Sequence, residues 1–337
     1  MKIITINNRK EQRLFFLGAL ILIFFSSNLF AAFSAKSAGT SGAAFLKIGA
    51  GARPQALGEA YTAVADDANA IHTNAAGLAT LKKNEFVAMR AQLFQDLQYH
   101  FFAYAHPTKS YGTFAFALNN LLISDIERRT ADTDNPDSTF SSNDSAYTLA
   151  YAKKWDDSLS FGGGFKYIRQ VLADDAANSY GLDLGSLYQF SELPLAIGFS
   201  VQNLGSKVKF KDESDSLPLT IKLGTSYRLG KNWKISGQNG EGIEKKGLLL
   251  SMDGNFPRDN DPSLRLGSEF TKTWLREDLS TSIRAGYQTG RNRQIEGTGI
   301  GVSAGTGITY KFFSFDFAWM PFGNLGNTFR YSVRLEF

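Results

Sequence analysis

Residues 328–337, TFRYSVRLEF, set Phe329, Tyr331, Val333, Leu335 and Phe337 against Arg330, Ser332, Arg334 and Glu336. Side chains of an extended strand leave the backbone on alternate sides, so one face of this segment is greasy and the other charged. The same period of two recurs back along the chain. Leu195, Ile197, Phe199 and Val201 alternate with Ala196, Gly198, Ser200 and Gln202, and Phe114, Phe116 and Leu118 alternate with Thr113, Ala115 and Ala117. Leu219, Ile221, Leu223 and Tyr227 oppose Thr220, Lys222, Gly224 and Arg228, and Ile300, Val302, Ala304 and Ile308 oppose Gly299, Gly301, Ser303 and Gly305.

Segments of this kind lie near residues 84–93, 98–107, 111–121, 144–154, 158–169, 179–189, 194–203, 218–229, 246–255, 262–272, 280–289, 299–310, 312–320 and 328–337. That makes about fourteen strands of about 9 to 11 residues, the length a tilted strand needs to cross a bilayer, and an even number. The connectors alternate in length, as they do where short turns face one side of a membrane and longer loops the other. Segments 122–143, 170–178, 204–217 and 290–298 are long; Pro107 to Ser110, Trp155 to Asp157, Ser191 to Leu193 and the join near Lys311 are short. Residues 230–245 break the rule, being long where a short turn belongs, so either an extra hairpin lies there or the strand count is off by a pair.

Alternation alone also describes a soluble β-sandwich, because both folds present one apolar face. The polar face favours a membrane barrel: Gly, Ser, Thr and Ala with scattered charges, Lys166, Asp183, Arg265, Glu269, Arg284 and Asp316, suit a wet or plugged lumen. Trp155, Trp274 and Trp319 fall near strand ends, where interfacial aromatic girdles sit. The closing segment resembles the terminal strand that outer-membrane barrels present to their insertion machinery, with Phe329, Tyr331, Val333, Leu335 and Phe337 as the signal.

Lys2, Arg9, Lys10 and Arg13 precede an apolar run from Leu14 to Phe25, followed by small residues around Ala31, Ala32, Ser34 and Ala35. This is the pattern of a secretory signal peptide, with cleavage between about Ala31 and Ala38. The apolar run is too short for the ~20 residues of a spanning helix. Taking the leader as 1–35 removes four basic residues and Glu11, +3 of the formal +4, so the mature chain is close to neutral. The basic balance is a targeting feature, and no basic stripe with interleaved aromatics supports nucleic-acid binding. With no cysteine, disulfides and thiolate metal sites are excluded.

Between leader and first strand the period changes. Leu57, Tyr61, Val64 and Ala68 recur at helical spacing in GEAYTAVADDANAI, and Gly77 can end the turn. Residues 36–83 therefore read as a small helical segment, either a plug in the mouth of a barrel spanning 84–337 or a periplasmic tail. Residues 39–79, GTSGAAFLKIGAGARPQALGEAYTAVADDANAIHTNAAGLA, resemble the opening signature of the PorV/PorQ family of FadL-like outer-membrane proteins. LPLAIGFSVQNLG, LPLTIKLGTSYRL and MPFGNLGNTFRYSVRLEF extend the resemblance over the mature chain.

The resemblance implies an all-β fold, a transmembrane antiparallel β-barrel of about 14 strands with a small N-terminal helical plug. It points to Arg53, Gly58, Asp66, Asp67, Asn69, Asn74 and Gly77 as the plug motif. One departure stands out: the family's Asn-Pro-Ala-Gly-Leu is here Asn74, Ala75, Ala76, Gly77 and Leu78, and loss of the proline relaxes the turn. Two functions follow from the resemblance. One is FadL-like transport or binding of hydrophobic small molecules, with the plug as gate. The other is a PorV-type part in type IX secretion, receiving cargo proteins or attachment partners, with the 122–143 loop as the contact. The implied location is the bacterial outer membrane, and the implied partners are its lipid, the barrel insertion machinery, and a hydrophobic ligand or a secreted cargo protein.

No cofactor, metal or catalytic residue is expected. His72, His100 and His106 are scattered, and no histidine spacing matches a zinc motif. Ser110 approaches His106 only across a turn. Gly297, Gly299, Gly301, Gly305 and Gly307 fall at every second position of a strand rather than between strand and helix, which thins one face of the wall and does not make a nucleotide loop. Asp66 and Asp67, adjacent on a short helix, read as solvent-facing or capping groups.

Overall fold

The computed structural model describes residues 39–337 apart from 95–96, 133, 212, 237–241, 275–276 and 291–298. The expected leader, 1–35, lies outside the described residues. Strands β1 (Glu85–Gln92), β2 (Gln98–Thr108), β3 (Gly112–Arg128), β4 (Ser138–Lys154), β5 (Leu159–Leu172), β6 (Asp175–Gln189) and β7 (Leu195–Gly205) pair in chain order. A small hairpin, β8 (Val208–Phe210) with β9 (Glu213–Asp215), interrupts them. The wall resumes with β10 (Thr220–Ser236), β11 (Gly242–Pro257), β12 (Ser263–Trp274), β13 (Leu279–Gln288), β14 (Val302–Tyr310), β15 (Phe313–Pro321) and β16 (Asn327–Glu336).

β16 pairs with β1 from Glu85↔Glu336 to Gln92↔Phe329, which closes a fourteen-stranded antiparallel barrel. Closure leaves no edge strand, the condition for a sheet in lipid, where an unpaired backbone group finds no water. All fourteen strands read from the period of two are present, several of them longer, such as β3, β4 and β10, and β1 and β14 shorter. The 230–245 irregularity resolves without an extra hairpin. β10 and β11 extend through it, pairing Trp233↔Lys246 and Ile235↔Glu244 beyond a register shift. β14 begins at Val302, so Gly299 and Gly301 belong to the preceding connector, where positive φ (75 and 87) suits glycine. Gly297 lies outside the described residues.

Outward side chains form the apolar band that lipid requires: Phe114, Leu149, Leu184 and Ile283 are all exposed on the barrel's exterior. Trp155 stands on the turn after β4, and Trp274 ends β12 on the same rim. Inward, Lys166, Asp183, Arg265, Glu269, Arg284 and Asp316 are all buried, as the alternation predicts. The polar lining does not run all the way round, however. On β1 to β4 the inward residues include Val87, Met89, Ala91, Tyr99, Phe101, Ala103, Ala105, Ala115, Ala117, Ala150 and Ala152, which form one apolar cluster with the plug, broken by the polar Glu85, Thr113, Asn119 and Thr148. Both faces of this sector are mostly apolar, one in lipid and one against protein.

The N-terminal segment fills the lumen. Its helices are shorter than the spacing suggests: α1 (Ala52–Ala56), α2 (Ala70–Thr73) and 3-10 turns at Ala44–Lys47 and Ala75–Thr80. The expected helix through residues 57–69 is instead a series of turns, with positive φ at Gly58, Glu59 and Ala65. The wall supplies hydrogen-bond partners that a helix would have supplied internally. Asp253 accepts from Tyr61 N (2.9 Å) and Thr62 N (2.8 Å), and Ser226 Oγ donates to Ala63 O (3.0 Å). At the long-connector rim, Ser41 bridges Ser216, and Val208 and Leu217 cluster with Phe45, Leu46 and Ile168, so the β8–β9 hairpin folds over the plug's first residues.

Candidate functional site

The plug's chemistry converges on Arg53, the second residue of α1. α1 is fixed to the wall at both ends: Ala52 N donates to Ser332 Oγ (2.8 Å), and Ser303 Oγ donates to Ala56 O (3.2 Å). From there the Arg53 guanidinium donates to both carboxylate oxygens of Glu269 on β12, at 2.8 and 3.0 Å. Its remaining nitrogen reaches Asp66 (2.6 Å), the Tyr61 hydroxyl (2.9 Å) and Asp67 (3.1 Å). Such a fork-on-carboxylate contact requires arginine and not lysine.

The network continues into the wall. Arg284 joins Glu269 (2.6 Å) to Asp316 (2.6 Å), and Arg228 holds the other oxygen of Asp66 (2.7 Å). Asp66 and Asp67, expected to face solvent or cap a helix, are therefore charge partners inside the barrel, because the turn at 57–69 aims them at Arg53. Burial alone would raise the Asp66 carboxyl, but the Arg53 and Arg228 charges outweigh it and hold it below the usual range. Burial pushes the Tyr61 hydroxyl up.

The other plug residues act through shape and capping. Asn69 donates from its backbone and side chain to Asp67 Oδ1, both at 3.0 Å. Asn74 caps the following 3-10 turn through Ala76 N (3.2 Å) and donates to Thr62 O (2.8 Å) and Ser186 O (3.0 Å), so it ties two plug turns to β6 without the family's proline. Gly58 has φ 62, and a Cβ there would lie 2.7 Å from Tyr287 N; at Gly77 it would lie 1.9 Å from Ala65 O. The wall answers with its own glycines. A Cβ at Gly198 would meet Thr62 O at 2.2 Å, at Gly286 Gly58 N at 2.1 Å, and at Gly305 the Ala56 side chain at 2.5 Å. Thinning the inner face at these points lets plug backbone lie directly against strand.

Of the seven plug positions, Arg53, Asp66, Asp67 and Asn69 are joined by hydrogen bonds, whereas Gly58, Asn74 and Gly77 pack at other points of the plug. The plug's wall partners Asp253, Arg228 and Glu85 were missed in the sequence, although Asp253 and Arg228 sit at inward parity in predicted strands. Glu85 accepts from Ala68 N (2.9 Å) at the short-turn rim. His72 lies in the plug beside Asn119 (3.3 Å), and burial and the nearby Lys166 charge lower it to about 3. His106 contacts Asn84 (2.7 Å) near the opposite rim from the β8–β9 hairpin, and His100 is on the outward face of β2. The terminal strand's Phe329, Tyr331, Val333 and Leu335 all point outward, and Phe337 exchanges two 2.9 Å backbone bonds with Asn84.

A cavity of about 250 Å³ lies between the plug and β7 and β10–β13 and opens toward the long connectors, with Gln55, Glu59, Lys222 and Arg265 among its lining. Small-molecule pockets for apolar ligands usually occupy roughly 300–1,000 Å³ and are lined mostly by apolar groups. This one is smaller and lined by amides and charges.

The fold has known counterparts. The toluene transporter TbuX of Ralstonia pickettii aligns with a TM-score of 0.53 and 12% identity, over 86% of this chain and 98% of that one. The toluene transporter TodX of Pseudomonas putida aligns at 0.49 and 11%, over 86% and 99%. A FadL homologue of Pseudomonas aeruginosa aligns at 0.47 and 12%, over 81% and 94%. At such identities the likeness is one of fold. No curated protein matches the sequence. The family described as Type IX secretion system protein PorV matches residues 32–241, more than half of the chain. A closed, plugged fourteen-stranded barrel with an apolar exterior and that family's sequence match make this chain a member of the PorV family, located in the bacterial outer membrane.

Proposed function

We propose that the barrel works at its outer mouth as a binding component of type IX secretion, the system named in its family's description. One observation carries this reading: among the described residues the lumen is occupied by a plug held through buried ion pairs and backbone contacts, with a small polar cavity beside it. A wall filled in this way serves as a scaffold more readily than as a passage. The contact surface is the outer part of the β3–β4 hairpin and the 122–143 segment, which extends past neighbouring strands. In this reading 1–35 is removed on export, 36–83 closes the barrel, and the aromatic residues of β16 address it to the insertion machinery. The role is non-catalytic.

Deleting the gene and comparing surface-attached exported proteins tests this. Their loss from the cell surface, restored by the wild-type gene but not by one lacking residues 129–137, is the expected result. Unchanged surface proteins in the deletion strain overturn it.

A second reading, passage of hydrophobic small molecules, is supported by the fold shared with TbuX and by an apolar hollow in the lipid-facing wall around Leu250, Met252 and Leu266. Toluene uptake into proteoliposomes above the empty-vesicle rate supports that reading. The closed lumen predicts none.

A further inference from the structure

The polar cavity has a composition of its own, separate from the Arg53 network. Its floor is the plug's Gln55, Glu59 and Thr62, and its wall includes Lys222, Asn255 and Arg265. Gln55 is 1% exposed, yet neither atom of its carboxamide has a partner. The amide lies where a Cβ on residue 49 would sit 1.7 Å from Gln55 Nε2, so Gly49 makes room for it. Thr62 Oγ1, Asn255 Oδ1 and Arg265 Nε are buried and unpartnered in the same way. Buried polar groups in folded proteins nearly always find partners, so a convergent unsatisfied set around one void marks a place for a polar guest.

The charges define the guest further. Arg265 engages Glu59, and Lys47 at the rim engages Asp259 at 2.7 Å. Lys222 has no carboxylate within ion-pair distance among the described residues, so its ammonium is a cation of the lining without a direct partner. Glu59 and the rim residue Asp261 oppose a second negative charge on a ligand. The open acceptors, Gln55 Oε1 and Asn255 Oδ1, call for hydroxyl or amide donors. The volume holds about eight waters at their liquid volume, and so a solute of that size.

We propose that this cavity binds a small, singly charged carboxylate bearing hydroxyl or amide groups. Its carboxylate rests on Lys222 and Arg265 Nε, and its neutral polar groups meet Gln55 and Asn255. The site is independent of the secretion reading, and its failure leaves that reading intact.

Titration calorimetry on the purified barrel in detergent tests this, with glycerate as probe, glycerol as its uncharged counterpart and inorganic phosphate as the alternative anion. Saturable glycerate binding is expected, with none for glycerol and phosphate weaker by about tenfold or more. Lys222→Met weakens glycerate by at least about tenfold, and Asn255→Asp, which adds a repelling charge without removing bulk, weakens it independently. Lys82→Met, outside the cavity, leaves it unchanged. Absence of glycerate binding, equal binding of glycerol or phosphate, or an unaltered affinity in either cavity variant that still shows heat-modifiable migration overturns the proposal. If Lys222→Met does not assemble, Asn255→Asp decides.

Discussion

The lumen has two unlike walls around one plug. Along β1–β4 the plug's Ile71 and Leu78 join Val87, Tyr99, Phe101 and alanines in a dry contact. Along β10–β16 the same plug meets Asp253, Glu269, Arg228, Arg265 and Ser332 through hydrogen bonds and ion pairs. The dry wall holds by surface removed from water, which is non-directional. The charged wall holds by geometry, since a buried charge is tolerated only with its partners in place. One side therefore supplies adhesion, and the other fixes the rotation and depth of the plug in the barrel.

The difference is testable by breaking each wall in turn. Arg53→Met leaves Asp67 without its cation and Glu269 and Asp66 with only Arg284 and Arg228, and removing one member of a buried charge cluster costs about 3–5 kcal/mol. This is the largest expected effect, read as a lowered urea midpoint of the folded, heat-modifiable form. Arg53→Lys recovers only part of it, because an ammonium cannot span both oxygens of Glu269. An unchanged midpoint in Arg53→Met would show that the charged wall holds nothing.

On the dry wall, Leu78→Ala leaves a cavity worth about 3 kcal/mol. Its cost stays constant across pH and salt, whereas that of Arg53→Met shrinks in acid as the stranded carboxylates protonate. Equal pH dependence in the two variants would erase the distinction drawn here.

Acid probes the charged side without mutation. Asp66 is held below the usual carboxylate range, so its contribution is present above about pH 4 and is lost as the pH falls through the lowered value. His72, lowered to about 3 chiefly by burial, is neutral in the folded barrel. Its share of stability is complete above about pH 6.5 and declines as the pH falls toward 3, because the unfolded chain binds the proton first. Thermal unfolding from pH 7 down to pH 3 is expected to show falling stability, and His72→Gln to flatten the upper part of that slope. A wild-type profile level between pH 6.5 and 4 contradicts the assignment.

The smallest effect is expected at the β6 side of the plug. Asn74 is extended (φ −152, ψ 99) and Ala75 opens a 3-10 turn, the two conformations that precede and accept proline. Ala75→Pro is expected to stabilise the barrel by about 0.4–1 kcal/mol through the unfolded chain. A loss of stability would mean that the turn around Asn74 differs from its relatives' in more than the missing ring.

Much of this architecture was legible in the sequence because lipid imposes a strict period. Phe114, Ile197 and Leu223 had to face outward once their neighbours were threonine, alanine, glycine and lysine. Fourteen strands and the short-turn rim followed from the same alternation. In QYHFFAYAHPT, residues 98–108, the reading loses its grip, since Phe101 and Phe102 are equally greasy and only closure shows which meets lipid and which meets plug. The plug deceived more: helical spacing of Leu57, Tyr61, Val64 and Ala68 led to turns, because Asp253 and Ser226 lie far along the chain and bind the backbone that a helix would have satisfied itself.

Composition and period, taken alone, determined a transmembrane barrel, because side-chain alternation is a local property of extended backbone in two solvents. Tertiary structure alone decided that Arg53 should gather Asp66, Asp67 and Glu269, and that Gln55, Lys222 and Asn255 should surround one void. Those groups come from segments up to about two hundred residues apart. Their meeting depends on strand register and on how deep the plug sits, quantities that no local pattern encodes.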